Sequence, residues 1–486
     1  MSGADMMEAM APETHSAQEK ALQINLDDQR FGTFAEIGAG QEVVRWFFHA
    51  GRASATVAKT ISAYDMAISD SLYGPTEHYV SRVRLESMLH REYGQLVERL
   101  GATRGGNTKF FVFADTAATH SSRRLEAGHG WLGVRFQAQA GAEPSEIIAH
   151  IEMLDRLTVN QQEAVGLAGV NLLHGAFYYQ DDPGSLIATL LDGLGRHRVE
   201  VDMIKFSGPA FHAVDNRLIS LQLVEQGLTD AVMFSADGEV VQPSETLSQR
   251  PVLIERGSFR PITKVVRDVI DRAREQLQDD CQLSNPAVLM EMTLNNLTSG
   301  RSIDHQDFLA RVDILGALGY LVMISNYTTF DRVTQYLRNY TREQIGMAVG
   351  IPTLRQIFEE KYYAELNGGL LEGLGRLFNG AVKLLVYPTV EPDSGNLTTV
   401  ETLQVAGKIT NLYLYLRQNG FIESMRRFDA LHLQLRPGEV LAKMQAGDPA
   451  WESMVPLQAV QLIKERGLFG YSAAARAQNT AAKDLI

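Results

Sequence analysis

The sequence predicts an α/β protein whose C-terminal half forms a parallel, doubly wound sheet of the Rossmann type. From Pro251 onward, short apolar segments alternate with longer segments of helical periodicity, which is the pattern of consecutive βαβ units. Crossover connections of this kind are right-handed, so about five such strands form one sheet with helices on both faces. Ligands bind such sheets at the carboxyl ends of the strands. We therefore expect a crevice next to Gly257, Asn295–Asn296, Ser325–Asn326 and Gly350.

The N-terminal half is predicted to be an α+β domain that contains an antiparallel pair of strands. Apolar and polar residues alternate in Gly130–Gln139 and in Ser145–Asp155, as in strands with one buried face. The patterns divide the chain into a disordered tail (1–20), the α+β domain (21–250), a Rossmann-like domain (251–395), a helical region (396–475) and a second tail (476–486).

Composition and charge narrow the class of protein. The 486-residue chain has 45% apolar and 21% charged residues, the balance of a soluble globular protein. Its formal net charge of −13 argues against binding to nucleic acids or anionic membranes, because both need a basic surface. No signal peptide and no membrane span is visible, so we expect a cytoplasmic protein. The single cysteine, Cys281, cannot form an intramolecular disulfide, and no metal site is predicted.

The segment Val252–Ala273 has the features of an anion-binding turn. An apolar strand ends at a turn on Gly257 and Ser258, and an amphipathic helix follows. Such a turn directs free backbone N–H groups and the positive end of the helix dipole at one point. Arg260 and Lys264 add two cations that can hold a phosphate group. The same pattern also fits an ordinary strand–turn–helix unit without a ligand.

This turn resembles the first motif of the nicotinate and nicotinamide mononucleotide adenylyltransferases, in which a strand leads into G-[ST]-F-D-P-x-H-x-G-H and a helix. The residues that match in order are Gly257, Ser258, Phe259 and Pro261. A second motif of the family, ISSTxxR, is similar to Ile324–Arg332. The resemblance covers Val252–Arg332 and implies a Rossmann-like, nucleotidyltransferase-like domain that binds the phosphates of a nucleotide, with Mg²⁺ entering only with that nucleotide.

Three positions of the first motif differ from the family. Arg260 stands at the position of the aspartate, and Thr263 and Val266 stand where the family has histidines that contact the triphosphate. Positioning and charge neutralisation supply most of the catalysis in such in-line transfers. Losing one donor of this type costs about 3 kcal/mol in the transition state. The resemblance therefore supports phosphate binding more strongly than adenylyl transfer.

The sequence thus predicts a nucleotide- or phosphometabolite-binding protein whose ligand is a small phosphorylated molecule. The predicted phosphate site comprises Gly257, Ser258, Arg260, Thr263, Lys264, Ser325 and Asn326. Over most of its length the chain also resembles a group of bacterial proteins of similar size, through the segments FAEIGAGQEV, SAYDM, FSGP and GSFRP. That second resemblance implies no particular mechanism.

Two alternatives remain open. A strand, a turn with Gly38 and Gly40, and a helix resemble the first motif of methyltransferases that bind S-adenosylmethionine, so these glycines form a second candidate site. Alternatively, the protein is an oligomeric scaffold in which small-residue helices at 51–62 and 163–175 make close contacts between subunits. We expect a homo-oligomer. A basic cluster at 120–129, with His120 and His129, fits a solvated loop or an anion contact better than a metal site.

Overall fold

A computed structural model describes residues 15–119, 128–281, 286–298, 302–391, 394–435 and 437–471 of the chain. The chain divides into two compact units, Met1–Thr229 (unit 1) and Asp230–Ile486 (unit 2). Each unit combines helices with a sheet that contains parallel strands, which confirms the predicted α/β class. The division lies ahead of the predicted boundary at residue 250.

Unit 1 contains helices on both faces of one sheet. Its helices are α1 (Ala17–Leu26), α2 (Glu42–Ala50), α3 (Met66–Tyr73), α4 (Arg82–Arg104), α5 (Thr158–Tyr178), α6 (Pro183–Ala188) and α7 (Asn216–Gln226). Its strands are β1 (Arg30–Ile37), β2 (Val57–Ile61), β3 (Lys109–Ala118), β4 (Gly128–Phe136), β5 (Ser145–Met153) and β6 (Val199–Ser207).

The sheet of unit 1 is mixed, with the strand order β2-β1-β3-β4-β5-β6. β2, β1 and β3 are parallel, whereas β3 to β6 pair antiparallel. The predicted antiparallel pair is therefore confirmed as β4 and β5. α4 covers one face, where the position of a Cβ atom on Gly133 lies 2.7 Å from Leu89 Cδ1. α5 covers the other face, where the same position on Gly169 lies 2.8 Å from the ring of Phe113.

The segments that suggested subunit contacts have other roles. The prediction of a helix at 51–62 is wrong, because these residues form a short 3-10 turn (Ala53–Ala55) and the edge strand β2, which pairs with β1. In α5 the small residues face inward, and Gly166, Gly169 and Gly175 approach Glu42, Val43 and Leu186 of the same unit. Small residues here allow close packing within the unit, and the homo-oligomer stays a prediction.

Part of the predicted N-terminal tail is ordered. Residues 17–20 form the first turn of α1, which begins with a capping box between Ser16 and Glu19. Lys20 is fully buried, and its Nζ donates to Asn171 Oδ1 at 2.8 Å and to Asp192 Oδ2 at 2.7 Å. These bonds tie α1 to the rest of unit 1. The remainder of both predicted tails, 1–14 and 476–486, lies outside the described residues.

Unit 2 is a larger α/β unit. Its strands are β7 (Ala231–Phe234), β8 (Val240–Val241), β9 (Val252–Arg256), β10 (Ala287–Thr293), β11 (Leu321–Ser325), β12 (Ile345–Gly350), β13 (Val382–Tyr387), β14 (Thr389–Val390), β15 (Leu397–Thr398) and β16 (Ile422–Ser424). Its helices are α8 (Pro243–Leu247), α9 (Lys264–Cys281), α10 (Leu294–Leu297), α11 (His305–Ala317), α12 (Phe330–Tyr340), α13 (Ile351–Ile357), α14 (Gly369–Leu377), α15 (Thr410–Gln418), α16 (Pro437–Gln445), α17 (Trp451–Met454) and α18 (Leu457–Arg466).

The main sheet of unit 2 has the order β16-β13-β12-β9-β10-β11-β7-β8. Its first six strands are parallel, and β7 and β8 extend it as an antiparallel hairpin. When β9 is counted as the first parallel strand, the order is that of a doubly wound nucleotide-binding sheet, 3-2-1-4-5-6. The sheet has more strands than predicted. The hairpin β7–β8 lies before residue 250, in the predicted N-terminal domain, and β16 lies in the region 396–475, which was predicted to be helical.

We predict that Asp192→Asn destabilises the protein by about 3 kcal/mol, because it leaves the buried ammonium group of Lys20 without a counter-charge. Burial already lowers the pKa of Lys20, and Asp192 opposes this shift. Urea denaturation measures the change. Asp181→Asn removes the same charge from an exposed position of unit 1 and should leave stability nearly unchanged. Equal stability of the two variants would contradict this account of Lys20.

Candidate functional site

A cavity of about 300 Å³ lies at the carboxyl edge of the main sheet of unit 2. Its wall is formed by residues at the end of β9, at the end of β10, and in the segments that follow β11 and β12. The lining residues are Arg256, Thr293, Asn295, Asn296, Tyr327, Thr328, Thr329, Phe330, Thr353, Gln356, Ile357, Tyr362 and Tyr363. This is the edge at which doubly wound sheets bind ligands. Of the residues beside which the sequence predicts a crevice, Asn295 and Asn296 line the cavity.

The chemistry of this wall is unusual for so acidic a chain. Among the lining residues there is one cation, Arg256, and no aspartate or glutamate. The other polar groups are hydroxyls of threonine and tyrosine and side-chain amides. Aromatic rings supply much of the apolar surface. A wall of this kind suits a ligand that combines an anionic group with hydroxyl or amide groups and a flat apolar part.

Arg256 is held rigidly by a neighbouring strand. Its Nε and Nη2 donate to the two carboxylate oxygens of Glu291 at 2.9 and 2.8 Å, and Glu291 is completely buried. Ser325 Oγ donates to the same carboxylate at 2.6 Å. The guanidinium carbon lies 4.4 Å from the centre of the Phe330 ring. Nη1 makes only a long contact, 3.4 Å, with the carbonyl oxygen of Thr328, and this is the nitrogen best placed to bind a ligand.

The N-terminus of α12 opens on the same cavity. The preceding residue, Thr329, makes no capping hydrogen bond with its side chain, and one acid, the buried Asp331, lies in the first turn of the helix. Thr328, Thr329 and Phe330 all line the cavity. The first N–H groups of a helix carry a partial positive charge and attract anions. Arg256, which is paired with Glu291, and the first N–H groups of α12 therefore both offer hydrogen-bond donors to the cavity.

The predicted phosphate turn is held by helix α11. Arg260 Nε donates to Asp307 Oδ1 at 2.5 Å, and Arg311 Nη1 donates to the carbonyl oxygen of Ser258 at 3.1 Å. Arg311 also pairs with Asp307. Arg260 is thus engaged within the protein, as a clamp on the turn. Of the two residues that begin this turn, Gly257 is half-buried and Ser258 is exposed.

The remaining predicted residues also lie outside the cavity wall. Thr263 is buried, and its Oγ1 accepts the N–H of Val266 at 3.4 Å, so it caps α9. Lys264 is the first residue of α9 and is half-buried. Ser325 lies behind Glu291, and Asn326 is exposed. None of the seven predicted phosphate-site residues lines the cavity, and their contact with a ligand stays a prediction.

The second candidate site, at Gly38 and Gly40, is a tightly packed turn between β1 and α2. Both glycines have positive φ, 102° and 96°, and a Cβ atom on Gly38 would lie 1.8 Å from the carbonyl oxygen of Ala117. The N–H groups of Val43 and Val44, at the start of α2, donate to Glu36 at 2.9 and 3.0 Å. A carboxylate of the protein therefore occupies the place where a ligand anion would bind to this helix.

Glu36 and Asp115 form a pair of buried acids beside this turn. They are register partners on β1 and β3, and each is 1% exposed. Asp115 Oδ1 accepts the N–H of Ile37 at 3.3 Å, and Oδ2 has no hydrogen-bond partner among the described residues. Burial raises the pKa of Glu36 to about 7, although its bonds to α2 oppose the shift. Burial and the charge of Glu36 raise the pKa of Asp115.

The structure also joins three polar residues that the sequence did not connect. His129 Nδ1 lies 3.1 Å from His150 Nε2, and His150 Nδ1 lies 2.6 Å from Asp202 Oδ1. They come from the adjacent strands β4, β5 and β6, so strand pairing alone brings them together. The sequence predicts a basic loop over 120–129; this is wrong for His129, which lies in β4, and residues 120–127 lie outside the described residues. The alternation of apolar and polar residues in β5 predicts which of its faces is buried, but it does not predict which strands pair with β5.

The described residues also show no metal-binding cluster and no helix suited to cross a membrane. In this part of the chain no cluster of three or more histidine, cysteine, aspartate or glutamate residues is arranged to bind a metal ion. No described helix has the combination of length and apolar character needed to span a membrane.

Comparison with known proteins adds little. No protein-family model matches the chain, and no curated protein matches it significantly. Among solved structures, the competence/damage inducible protein CihA from Agrobacterium tumefaciens is 16% identical, with a TM-score of 0.24 over 34% of this chain and 96% of that one. A competence or damage-inducible protein from Enterobacter asburiae is 13% identical (TM-score 0.25; 33% and 98% covered). A CinA superfamily protein from Enterobacter cloacae is 12% identical (TM-score 0.25; 36% and 99% covered). Structural similarities with TM-scores this low give no information about function.

The acid pair of unit 1 predicts a pH dependence of stability. The pKa of Glu36 is about 7 in the folded protein and 4.5 without the fold, so the folded state binds more protons between these values. Stability should therefore fall as the pH rises through this window. Asp115→Asn removes the neighbouring charge and keeps an oxygen for the N–H of Ile37. We expect it to stabilise the protein at about pH 8 by 1 kcal/mol or more, with a smaller gain at about pH 5.

Urea denaturation at the two pH values measures this difference. Asp28→Asn removes one charge from an exposed position of unit 1 and serves as the matched control. If Asp115→Asn and Asp28→Asn lose stability with pH to the same extent as the original protein, the two buried acids do not interact as described.

Proposed function

We propose that the cavity of unit 2 binds a small phosphorylated metabolite or a nucleotide. One observation carries the proposal: Arg256 and the uncapped N-terminus of α12 face one cavity whose lining contains no acidic residue. Guanidinium groups and helix N-termini are the two protein features that most often bind phosphate oxygens. In a chain with a net charge of −13, such a wall is a local exception. The phosphate would lie between Arg256 Nη1 and the first turn of α12.

The rest of the wall suggests the remainder of the ligand. Asn295 is exposed at the cavity, and the hydroxyl groups of Thr328 and Thr353 are close enough to the ligand space to bond to sugar hydroxyls. Tyr362 is 43% exposed and presents a ring on which a flat group can stack. A cavity of about 300 Å³ is at the small end of ligand sites, which favours a sugar phosphate or a nucleoside monophosphate.

The proposal is for binding. The turn that resembles adenylyltransferases has Thr263 and Val266 in place of two histidines, and Thr263 is used to cap α9. The cavity wall contributes no carboxylate for a metal ion, so Mg²⁺ would enter only with the phosphates of the ligand. The strand order of the sheet supports a nucleotide-binding edge in general but selects no reaction.

Binding is tested by thermal shift and by calorimetric titration of the full chain. The probes are adenosine monophosphate, nicotinamide mononucleotide, glucose 6-phosphate and inorganic phosphate. We expect at least one of them to bind with a Kd in the micromolar range and to stabilise the protein by several kcal/mol at millimolar concentration. Asn295→Asp places a negative charge at the cavity without changing the side-chain shape. It should weaken binding of that probe about tenfold.

Two controls locate the site. Asn107→Asp adds the same charge at an exposed position of unit 1 and should leave the Kd unchanged. Lys264→Gln removes a cation from the predicted phosphate turn and should have less than a twofold effect if the cavity is the site. A strong effect of Lys264→Gln without an effect of Asn295→Asp would move the site to the turn. Absence of binding by all four probes would reject the proposal.

A further inference from the structure

The central strand of unit 2 ends in two charged residues with opposite environments. Arg256 donates through Nε and Nη2 to Glu291 and lines the cavity of the candidate site. Glu255, one residue earlier, points to the opposite face of the sheet, since side chains alternate along a strand. Its Oε2 atom is completely buried and has no hydrogen-bond partner among the described residues. The same part of the chain contains no ion pair to Glu255. A buried acid without a partner is rare and costs stability.

The surroundings of Glu255 include unfilled space. Its register partners are Met290 on β10 and Ala348 on β12, so it lies beside the point where the strand order reverses. The last residue of β12, Gly350, faces the same side of the sheet. Apart from the two chain neighbours of Gly350, the described residues place only Pro352 Cδ, at 3.5 Å, within 4 Å of a Cβ atom at this position. Residue Glu255 is partly exposed, although its Oε2 atom is enclosed, and it lies on the same face of the sheet as this open space.

The charged groups around the opening do not neutralise Glu255. Burial alone raises the pKa of Glu255 well above its usual value. Burial and the charge of Asp271 raise the pKa of Tyr320, Arg267 and Arg274 oppose this shift, and Glu255 adds a smaller upward contribution. On helix α9 the nearest acid to the edge, Asp268, already accepts bonds from Tyr387 Oη at 2.5 Å and from Arg272 Nε at 3.1 Å. Asp268 is therefore neutralised within the protein, and it does not share its partners with Glu255.

We propose that Glu255 is the binding group of a second ligand crevice, between β9 and β12 on the α9 face, for a small molecule that carries a cationic amine. An ammonium or guanidinium group supplies the hydrogen-bond donors that the buried carboxyl lacks. It also supplies the opposite charge, and no described cation supplies that charge to Glu255. The cavity with Arg256 is on the other face of the sheet, so this inference does not depend on the phosphorylated ligand.

The experiment uses the full chain and three amine probes, ethanolamine, putrescine and agmatine, titrated by calorimetry. We expect saturable binding of at least one probe to a single site. Binding should release close to one proton per site near pH 7, because the cation ionises a carboxyl group that burial keeps protonated. A pH indicator in unbuffered salt solution measures that release. Glu255→Gln should raise the Kd of the probe between about tenfold and about a hundredfold, which is the range for a hydrogen bond to a charged group.

Matched variants separate this site from non-specific attraction to an acidic protein. Glu365→Gln removes the same charge at an exposed position of unit 2 and should change the Kd less than about twofold. Gly350→Val keeps the carboxyl group and fills the opening, so it should also abolish binding. Glu255→Gln should unfold at the same or a higher temperature than the original protein, because it removes an unpaired buried acid.

Four results would overturn the inference. They are no saturable binding of any probe, equal binding by Glu255→Gln, binding that survives Gly350→Val, and a clear loss of stability in Glu255→Gln. The last result would mean that the carboxyl group has a structural role. Phosphate-bearing probes should bind equally to Glu255→Gln and to the original protein, so failure here is distinguishable from failure at the Arg256 cavity.

Discussion

The ion pair between Arg256 and Glu291 is the interaction on which the candidate site depends. Glu291 is wholly enclosed at the end of β10, so its charge is tolerable only because Arg256 on the adjacent strand binds both carboxylate oxygens. That bond fixes the guanidinium group against the ring of Phe330, at the start of α12. One buried pair thus determines where the positive group of the cavity lies and how α12 begins beside it.

The two units use the same local motif, a strand that turns into a helix, in different ways. In unit 1 the helix α2 receives the carboxylate of Glu36, which leaves no place for a ligand anion at its first turn. In unit 2 the turn before α9 is clamped by Arg311 and Asp307, and Thr263 caps the helix. At the start of α12, Thr329 makes no such bond, and Asp331 lies in the first turn. A helix N-terminus becomes a binding site only when the protein itself leaves it unoccupied.

Unpaired acids occur at the carboxyl ends of strands in both units, and they differ in what surrounds them. Asp115 Oδ2 is enclosed beside Glu36, with which it shares an elevated pKa, and it can act only on stability. Glu255 lies at the reversal of strand order and borders open space near Gly350. The same chemical group is therefore a source of pH-dependent stability in one unit and a proposed ligand contact in the other. Access to solvent makes the difference.

The sequence by itself determined the α/β class, the parallel strands after Pro251, the β4–β5 pair and the edge at which a cavity forms. These features depend on hydrophobic periodicity and glycine turns, which are local. It misassigned β2, because an edge strand with few buried residues has weak periodicity, and it missed the capping box of α1. Three contacts were decided only by the tertiary structure. Glu36 accepts hydrogen bonds from the first N–H groups of α2, and Ser325 donates to Glu291. His150 lies between His129 and Asp202. Each of these contacts joins different elements of the fold, and the spacing of residues along a chain contains no information about which strands become neighbours.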